Sequence, residues 1–328
     1  MSQVFTAVAS TLLVLFAHCV AANEGSAQQA YPTKPIQLVV TTAAGGANDL
    51  VARAVGDRLA ELLKQPLVIE NQPAANGNIA ASQVARAPAD GYTLMAVVDS
   101  TMTINPHLYG NIPYNVFRDF TPISLIVRAP VFLIANSTVA ADTVQELISL
   151  ARASPGKLNY ASSGVGTQLH MGMELFKIMT NTDIVHVPYR STTSVIADML
   201  GGRIELTLTS ISSAKAGIDA GKLKALAVAS SERSPVMPGL PTIAESGVPG
   251  YSVSSWFGMF GPANLPPAVM DRLFSAIKQM SVDPRFVAAM APQGMSIVAG
   301  SPAELHDAMR ADSDKWAAVI KRTGITIN

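Results

Sequence analysis

Ile36-Gln37-Leu38-Val39-Val40-Thr41-Thr42-Ala43-Ala44-Gly45-Gly46-Ala47-Asn48-Asp49-Leu50-Val51 changes period half way along. A β-branched apolar run stops at paired glycines. From Asp49 onward Leu50, Val51, Ala54, Val55, Leu59, Leu62 and Leu63 share one helical face, with Arg53, Arg58, Glu61 and Lys64 mostly outside it. The stretch reads as strand, tight turn, helix. The same alternation continues outward, with strand-like runs at 67–69, 94–98, 131–134, 184–187, 204–208 and 223–228 and helical patterns at 169–179 and 195–200. Three further helical segments begin near Pro266, Val282 and Pro302, the last with Ser301 as N-cap. Alternation of this kind predicts an α/β protein whose parallel strands are joined by crossover helices.

At 328 residues the chain is about twice the usual length of one domain, so two lobes or one large domain is expected. Lys plus Arg and Asp plus Glu are 23 each, which leaves no net charge to draw the molecule to nucleic acid or an anionic membrane surface. Residues 4–20 are apolar and are followed by small residues and then a polar run, the pattern of an export signal. No Lys or Arg precedes the run, and its length also suits a short membrane anchor. The reading adopted is a signal peptide over 1–22, cleaved after Ala22, a flexible mature start over 23–30, and a periplasmic destination. The only cysteine, Cys19, lies inside that signal, so the mature chain has no thiol for disulfides, nucleophiles or zinc.

Open parallel sheets bind ligands beyond the carboxyl ends of their strands, so the strand-to-helix corners are the candidate site. Three stand out: 41–49, 161–170 and 188–194, all small, polar and helix-opening. In the first, Asn48 or Asp49 is expected to cap the helix. Helix N-termini carry unpaired N–H groups and about half a positive charge, so converging corners make an anion site without a lysine. Arg190 is the single cation of the three corners. Each corner also has a plainer reading, since Gly-Gly turns a chain and Ser-Thr clusters cap helices. Nucleotide signatures fail on spacing: no Lys follows Gly45-Gly46, and Leu169 stands where a dinucleotide fingerprint needs its third glycine. Ser162 and Ser163 sit in no nucleophile elbow, which leaves an exported serine hydrolase unsupported. His170 and Glu174, four apart, lack a third metal ligand, and no cofactor or metal is expected. His186 is read as a hydrogen-bonded core histidine, His107 and Tyr109 as loop-shaping residues, and Met171, Met173 and Met179 as core filler.

At these corners the chain resembles the substrate-binding proteins of tripartite tricarboxylate transporters, the Bug family of periplasmic receptors. The resemblance runs from Tyr31 nearly to the C-terminus. It is carried by Tyr31-Pro32-Thr33-Lys34-Pro35-Ile36, Gly45-Gly46-Ala47-Asn48-Asp49, Glu70-Asn71-Gln72-Pro73-Ala74-Ala75-Asn76-Gly77-Asn78-Ile79, Ala89-Asp90-Gly91-Tyr92, Asn105-Pro106, Asp119-Phe120-Thr121-Pro122-Ile123, Pro155-Gly156-Lys157-Leu158-Asn159-Tyr160-Ala161-Ser162-Ser163-Gly164 and His186-Val187-Pro188-Tyr189. The resemblance implies a two-lobed α/β fold of the type II periplasmic binding protein kind, each lobe a mixed, largely parallel sheet flanked by helices. Lobe 1 would be 31–129 plus 256–328 and lobe 2 130–255, a monomer closing on a small carboxylate and passing it to a membrane permease. It further implies that Thr42, Ala43, Gly45, Gly46 and Asn48 pair with Ser163, Gly164, Gly166, Thr167 and His170 as carboxylate-holding loops. Asn76, Ser100 and Thr101 stand beside them, with Tyr189, Arg190, Ser191 and Thr192 on the lid side.

The chain departs from the family where family members commonly carry Pro-Phe and then a proline before Gly-Gly. Here stand Thr41-Thr42 and Ala44, so the loop is more polar and less stiff. Ser191 replaces the glycine usual after the basic residue. Asp99 is placed either to meet an amine on the ligand or simply to cap a turn. Trp256 and Phe257 are placed either against an aromatic ligand or in core and hinge packing. Hinges are expected near Ala129-Pro130 and Ser254-Ser255. The ligand classes in view are dicarboxylates, aromatic acids and acidic amino acids. A receptor feeding a signalling system shares every one of these features.

Overall fold

A computed structural model describes residues 31–327, so the expectations on the signal segment, Cys19 and residues 23–30 lie outside the described residues. In chain order the elements are β1 (Ile36–Val40), α1 (Ala47–Leu63), β2 (Leu67–Asn71), α2 (Asn78–Ala85), β3 (Thr93–Val98), α3 (Asp99–Thr103), α4 (Asn105–Leu108) and β4 (Phe120–Pro130). They continue with β5 (Phe132–Asn136), α5 (Val144–Ala153), β6 (Asn159–Ser162), α6 (Gln168–Thr180), β7 (Val185–Pro188), α7 (Thr192–Leu200), β8 (Leu206–Thr209), α8 (Ile211–Asp219) and β9 (Leu223–Val228). The chain then runs through β10 (Ser254–Pro262), α9 (Pro267–Ser281), α10 (Pro284–Met290), β11 (Ser296–Gly300) and α11 (Pro302–Thr323).

These form a two-lobed α/β fold with one sheet per lobe, ordered β11-β4-β10-β3-β1-β2 and β7-β6-β8-β5-β9. Each contains a parallel trio in which the first strand lies between the next two: β2-β1-β3 in one lobe, β7-β6-β8 in the other. The remaining pairings are antiparallel, so both sheets are mixed and parallel pairing is confined to the trios. A helix leaves the carboxyl end of every trio strand.

α1 buries Val51, Val55, Leu59 and Leu63 of the face its period announces, together with Ala52, while Leu50, Ala54 and Leu62 of that face are only partly buried. It starts at Ala47, two residues before Asp49, because Gly46 itself takes the N-cap conformation. The strands not legible as such are β4, β6, β10 and β11. β4 and β10 pair along their whole length, from Ser254 opposite Pro130 to Pro262 opposite Phe120, with two register shifts. Pro122, Gly258 and Gly261 break their apolar pattern, and the long ladder supplies what local propensity lacks. Met171 and Met173 are fully buried, whereas Met179 is 38% exposed near the end of α6 and fills no core.

The first sheet is covered by α1, α9 and α10 on one face and by α2 and the first half of α11 on the other. Leu305 and Met309 of α11 join that second face with Trp256 and Phe260. Two to three helical turns later, Trp316, Val319 and Ile320 enter the core of the other lobe beside Tyr160, Phe176 and Tyr251. Ile104 and Leu108 do the same. The C-terminal helix therefore straddles both lobes, and the two cores are not independent. Replacing the fully buried Trp316 by alanine is expected to cost about 3–5 kcal/mol through lost burial and the cavity left behind. Urea unfolding of Trp316→Ala should still show one midpoint by circular dichroism and by Trp256 fluorescence, displaced to lower urea.

Candidate functional site

The two lobes touch where the corner after β3 meets the corner after β6: Gln168 bonds Asp99, and Gly166 packs on Leu108. On the lobe 1 side, Asn71 Nδ2 donates to the Thr42 carbonyl at 3.0 Å and to Asp49 Oδ1 at 2.9 Å, tying the first corner to β2. Asp49 Oδ2 accepts from the Gly45 N–H and from Arg53 Nε, both at 2.9 Å. Burial alone would raise the Asp49 carboxyl, but the hydrogen bonds from Arg53, Gly45 and Asn71 outweigh it and hold it below the usual carboxylate range. Gly45 has φ +82°, the left-handed conformation that this bond requires. Asn48 is buried, its amide donating to the Ala96 carbonyl at 3.2 Å, while its Oδ1 and the Thr42 hydroxyl are buried without partners among the described residues. The segment Ala75, Asn76, Gly77 is left-handed throughout. It lays the Asn76 carbonyl within reach of Thr101 Oγ1 at 3.3 Å and Asn105 Nδ2 at 3.0 Å. Thr42, Ala43, Gly45, Gly46, Asn48, Asn76, Ser100 and Thr101 thus form one patch, though Thr101 is fully buried and its hydroxyl is spent on Asn76.

On the lobe 2 side, the hydroxyls of Thr167, Ser191 and Ser210 cap α6, α7 and α8 by accepting from His170, Ser194 and Ser213 N–H. α1, α2 and α3 begin at Gly46, Gly77 and Val98 with no side-chain cap. Side-chain caps at these corners are therefore confined to lobe 2; in lobe 1 the Ser100 N–H goes to Asp99 Oδ1 and the Asn78 N–H to the Ala75 carbonyl, while α1 opens at Gly46 without a side-chain cap. Several amides of the candidate set are already engaged. Gly166 N–H donates to His170 Nδ1 at 3.1 Å, Gly164 N–H to Ser162 Oγ at 3.3 Å and Thr167 N–H to the Gly164 carbonyl at 3.4 Å. Gly166 is buried against α4, and a Cβ there would collide with Leu108. His170 is 3% exposed, so it shapes the loop from beneath. Ser163, Gly164 and Thr167 remain at the surface of the corner. Tyr189 spends its hydroxyl on Asp198 at 2.5 Å, which also raises its pKa, while Arg190 is exposed and Ser191 and Thr192 are half-buried.

Under the second corner Tyr160, His186 and His170 stack, with 4.8 Å between the first two ring centroids and 3.9 Å between the two imidazoles. Ser162 Oγ lies 2.7 Å from His186 Nε2 and 3.0 Å from the Gly164 carbonyl. The hydroxyl has one proton. Donated to the carbonyl, it leaves Ser162 to accept from the imidazole, the reverse of a base activating a nucleophile. With Ser162 only 1% exposed, the pair is structural. Burial, and then the neighbouring His186, lowers His170 to about 3, and burial lowers His186 to about 4. Asp99, beside Ser100, is fully buried and accepts from the Ser100 N–H at 2.7 Å, the Trp256 N–H at 3.3 Å and Gln168. Asp99 has no exposed surface on which to meet a ligand amine. Trp256 and Phe257 are core residues of β10 and reach no ligand face. Gln168 was not singled out, because a glutamine opening a helix carries no signature.

Both imidazoles have pKa values depressed below their usual 6.5, so the unfolded chain binds those protons more readily. Their contribution to stability is whole above about pH 6.5 and is lost progressively as pH falls toward about 4 and then about 3. Urea midpoints measured between pH 7 and 4 should fall, and the slope should flatten in the double variant His170→Gln, His186→Gln.

The family described as Tripartite tricarboxylate transporter family receptor matches residues 51–325. Protein BugT of Bordetella pertussis is 32% identical over 295 residues, which are 90% of this chain and 90% of that one. The structure of Rhodopseudomonas palustris Rpa4515 with adipate superposes with a TM-score of 0.80 at 35% identity, over 90% of this chain and 99% of that one. MatC from the same organism, with bound malate, gives 0.77 at 29% identity over 88% and 100%. Among the described residues, no helix is long and apolar enough to cross a membrane.

Proposed function

The chain belongs to the tripartite tricarboxylate transporter receptor family, and from that premise we propose that it is a periplasmic receptor closing on a small dicarboxylate that carries no amine. That family is one of solute receptors, not an enzyme class. The observation that carries the reading is the opening of α1: a 17-residue helix starting at Ala47 whose N-cap, Gly46, supplies no side chain, behind an exposed 43–47 loop and the unpartnered Thr42 hydroxyl. A carboxylate seated there would supply the missing cap and meet the positive end of the helix. The hydroxyl-rich rim of lobe 2 and the exposed Arg190 would take the second acid group once the lobes close. Two relatives hold adipate and malate, dicarboxylates of different length. Asp99, the carboxylate placed nearest an amine by sequence, is completely buried, which favours simple or hydroxy diacids over acidic amino acids. We read the first sheet and its helices as lobe 1 and the second as lobe 2, hinged where Ala129-Pro130 pairs with Ser254-Ser255. The closed form would be delivered, as a monomer, to a membrane permease without turnover of the ligand.

A melting-temperature screen tests this directly. Ligand at 100 times its Kd adds about 2.7 kcal/mol, so malate or adipate should raise Tm and neutral amides or sugars should not. Stabilisation by neutral compounds alone sinks the carboxylate reading, and stabilisation by aspartate above malate sinks the amine-free part. Gly46 has an ordinary φ of −79°, and a Cβ there would lie 3.4 Å from the Ala43 carbonyl. Gly46→Ala should therefore keep its fold, with a stability change under about 1 kcal/mol, while its methyl over the helix mouth weakens binding at least tenfold by calorimetric titration.

A further inference from the structure

Gln168 follows Thr167 at the mouth of the lobe 2 corner, and Asp99 precedes Ser100 in the lobe 1 corner. Beneath the cleft their side chains are bonded to each other. The second proton of Gln168 Nε2 goes to the Ser254 carbonyl at 2.7 Å, and its Oε1 accepts from the Ser255 hydroxyl, both on the strand that crosses between the lobes. Every polar atom of this 4% exposed side chain is thereby used. Asp99 Oδ2 also takes the Trp256 N–H, and the Trp256 indole donates to Asp312 at 2.8 Å on α11, the helix shared by both cores. Lys315 joins Asp312 at 2.7 Å and the Ser252 carbonyl at 3.3 Å.

We propose that Asp99 and Gln168 are positioning residues of the ligand site, a clamp that holds the 99–101 corner of one lobe and the 163–167 corner of the other in register across the crossover strand. The inference rests on the interlobe reading of the site. Asp312 and Lys315 of α11 are the charged groups that face Asp99, whereas α6 and β10 present only neutral donors to it. Burial and then Asp312 push its carboxyl well above the usual range, against the pull of the Ser100 and Trp256 amides. A neutral glutamine is the partner that bonds such a group without adding a charge. The side chain that would remove the clamp by pH is its isostere: a second carboxylate at hydrogen-bond distance shares one proton with the first and repels it once both ionise.

The test uses Gln168→Glu, with malate and adipate as probes and small-angle scattering of the ligand-free protein as an independent readout. The variant's Kd should weaken at least tenfold relative to the parent as pH rises from about 6 to about 9, with its radius of gyration increasing over the same interval. A residue that only supports folding would lower Tm without imposing that pH profile. Gln168→Met, which has no titrating group, should weaken binding roughly tenfold at every pH, the loss expected when a buried hydrogen-bond partner is removed; it carries the test on affinity if Gln168→Glu unfolds above neutrality. The clamp is overturned if the folded glutamate variant follows the parent's pH profile, or if Gln168→Met binds as the parent does. Should no acid bind the parent, the functional reading fails, while scattering of the ligand-free glutamate variant still decides on the clamp.

Discussion

A peptide N–H in the first turn of a helix has no partner inside that helix, and where those groups find one organises this molecule. Both lobes present helix starts at the ends of a parallel trio, yet they meet the requirement differently. In lobe 2 the hydroxyls of Thr167, Ser191 and Ser210 satisfy it internally. In lobe 1, Gly46, Gly77 and Val98 supply no side chain for the purpose. The lobe 1 wall therefore keeps a long helix whose start at Gly46 has no side-chain cap, whereas on the lobe 2 wall the caps are hydroxyls that are themselves already bonded. Asp49 does not neutralise that wall, because Arg53, Asn71 and the Gly45 amide already surround its carboxylate.

The lobes are joined by more than two crossing strands. α11 buries Leu305 and Met309 in one core and Trp316, Val319 and Ile320 in the other, so relative motion must carry part of that helix with it. Next to the crossover, Asp99 is a carboxylate taken wholly out of water, and three N–H donors offset part of the cost of burying it. A hydrophobic pair at that position would be simpler to stabilise. Such a network instead fixes one relative geometry, since misalignment leaves a charge unpaired. The histidine stack does comparable work inside lobe 2: His170 holds the Gly166 amide and His186 holds Ser162, whose hydroxyl takes the Gly164 amide, with burial lowering the pKa of both imidazoles.

Much of this was legible in the residues. The change of period at Gly45-Gly46 reports a strand handing over to a helix, Ser301 before Pro302 reports the N-cap that starts α11, and the series of corner motifs reports the family. What local pattern conceals is the use each polar group is put to. Asn48 and Asp49 look like caps, yet the helix begins before them; His170 and Gly166, two of the candidate contacts, are bonded to each other; Met179 sits on an apolar pattern and is exposed. β4 and β10 were hidden by proline and glycine because their stability comes from pairing with one another across more than a hundred residues. Asp99 and Gln168, 69 residues apart, have no common motif.

The alternation of strand and helix, the first β1-to-α1 handover, the absence of a thiol from the described chain and the polar corners follow from the residues alone, because periodicity and turn chemistry act over a few positions. Which amides stay unpaired, which carboxylate is buried and which helix belongs to both lobes were decided by the tertiary structure, because each depends on partners that only the folded chain brings within hydrogen-bonding or packing distance.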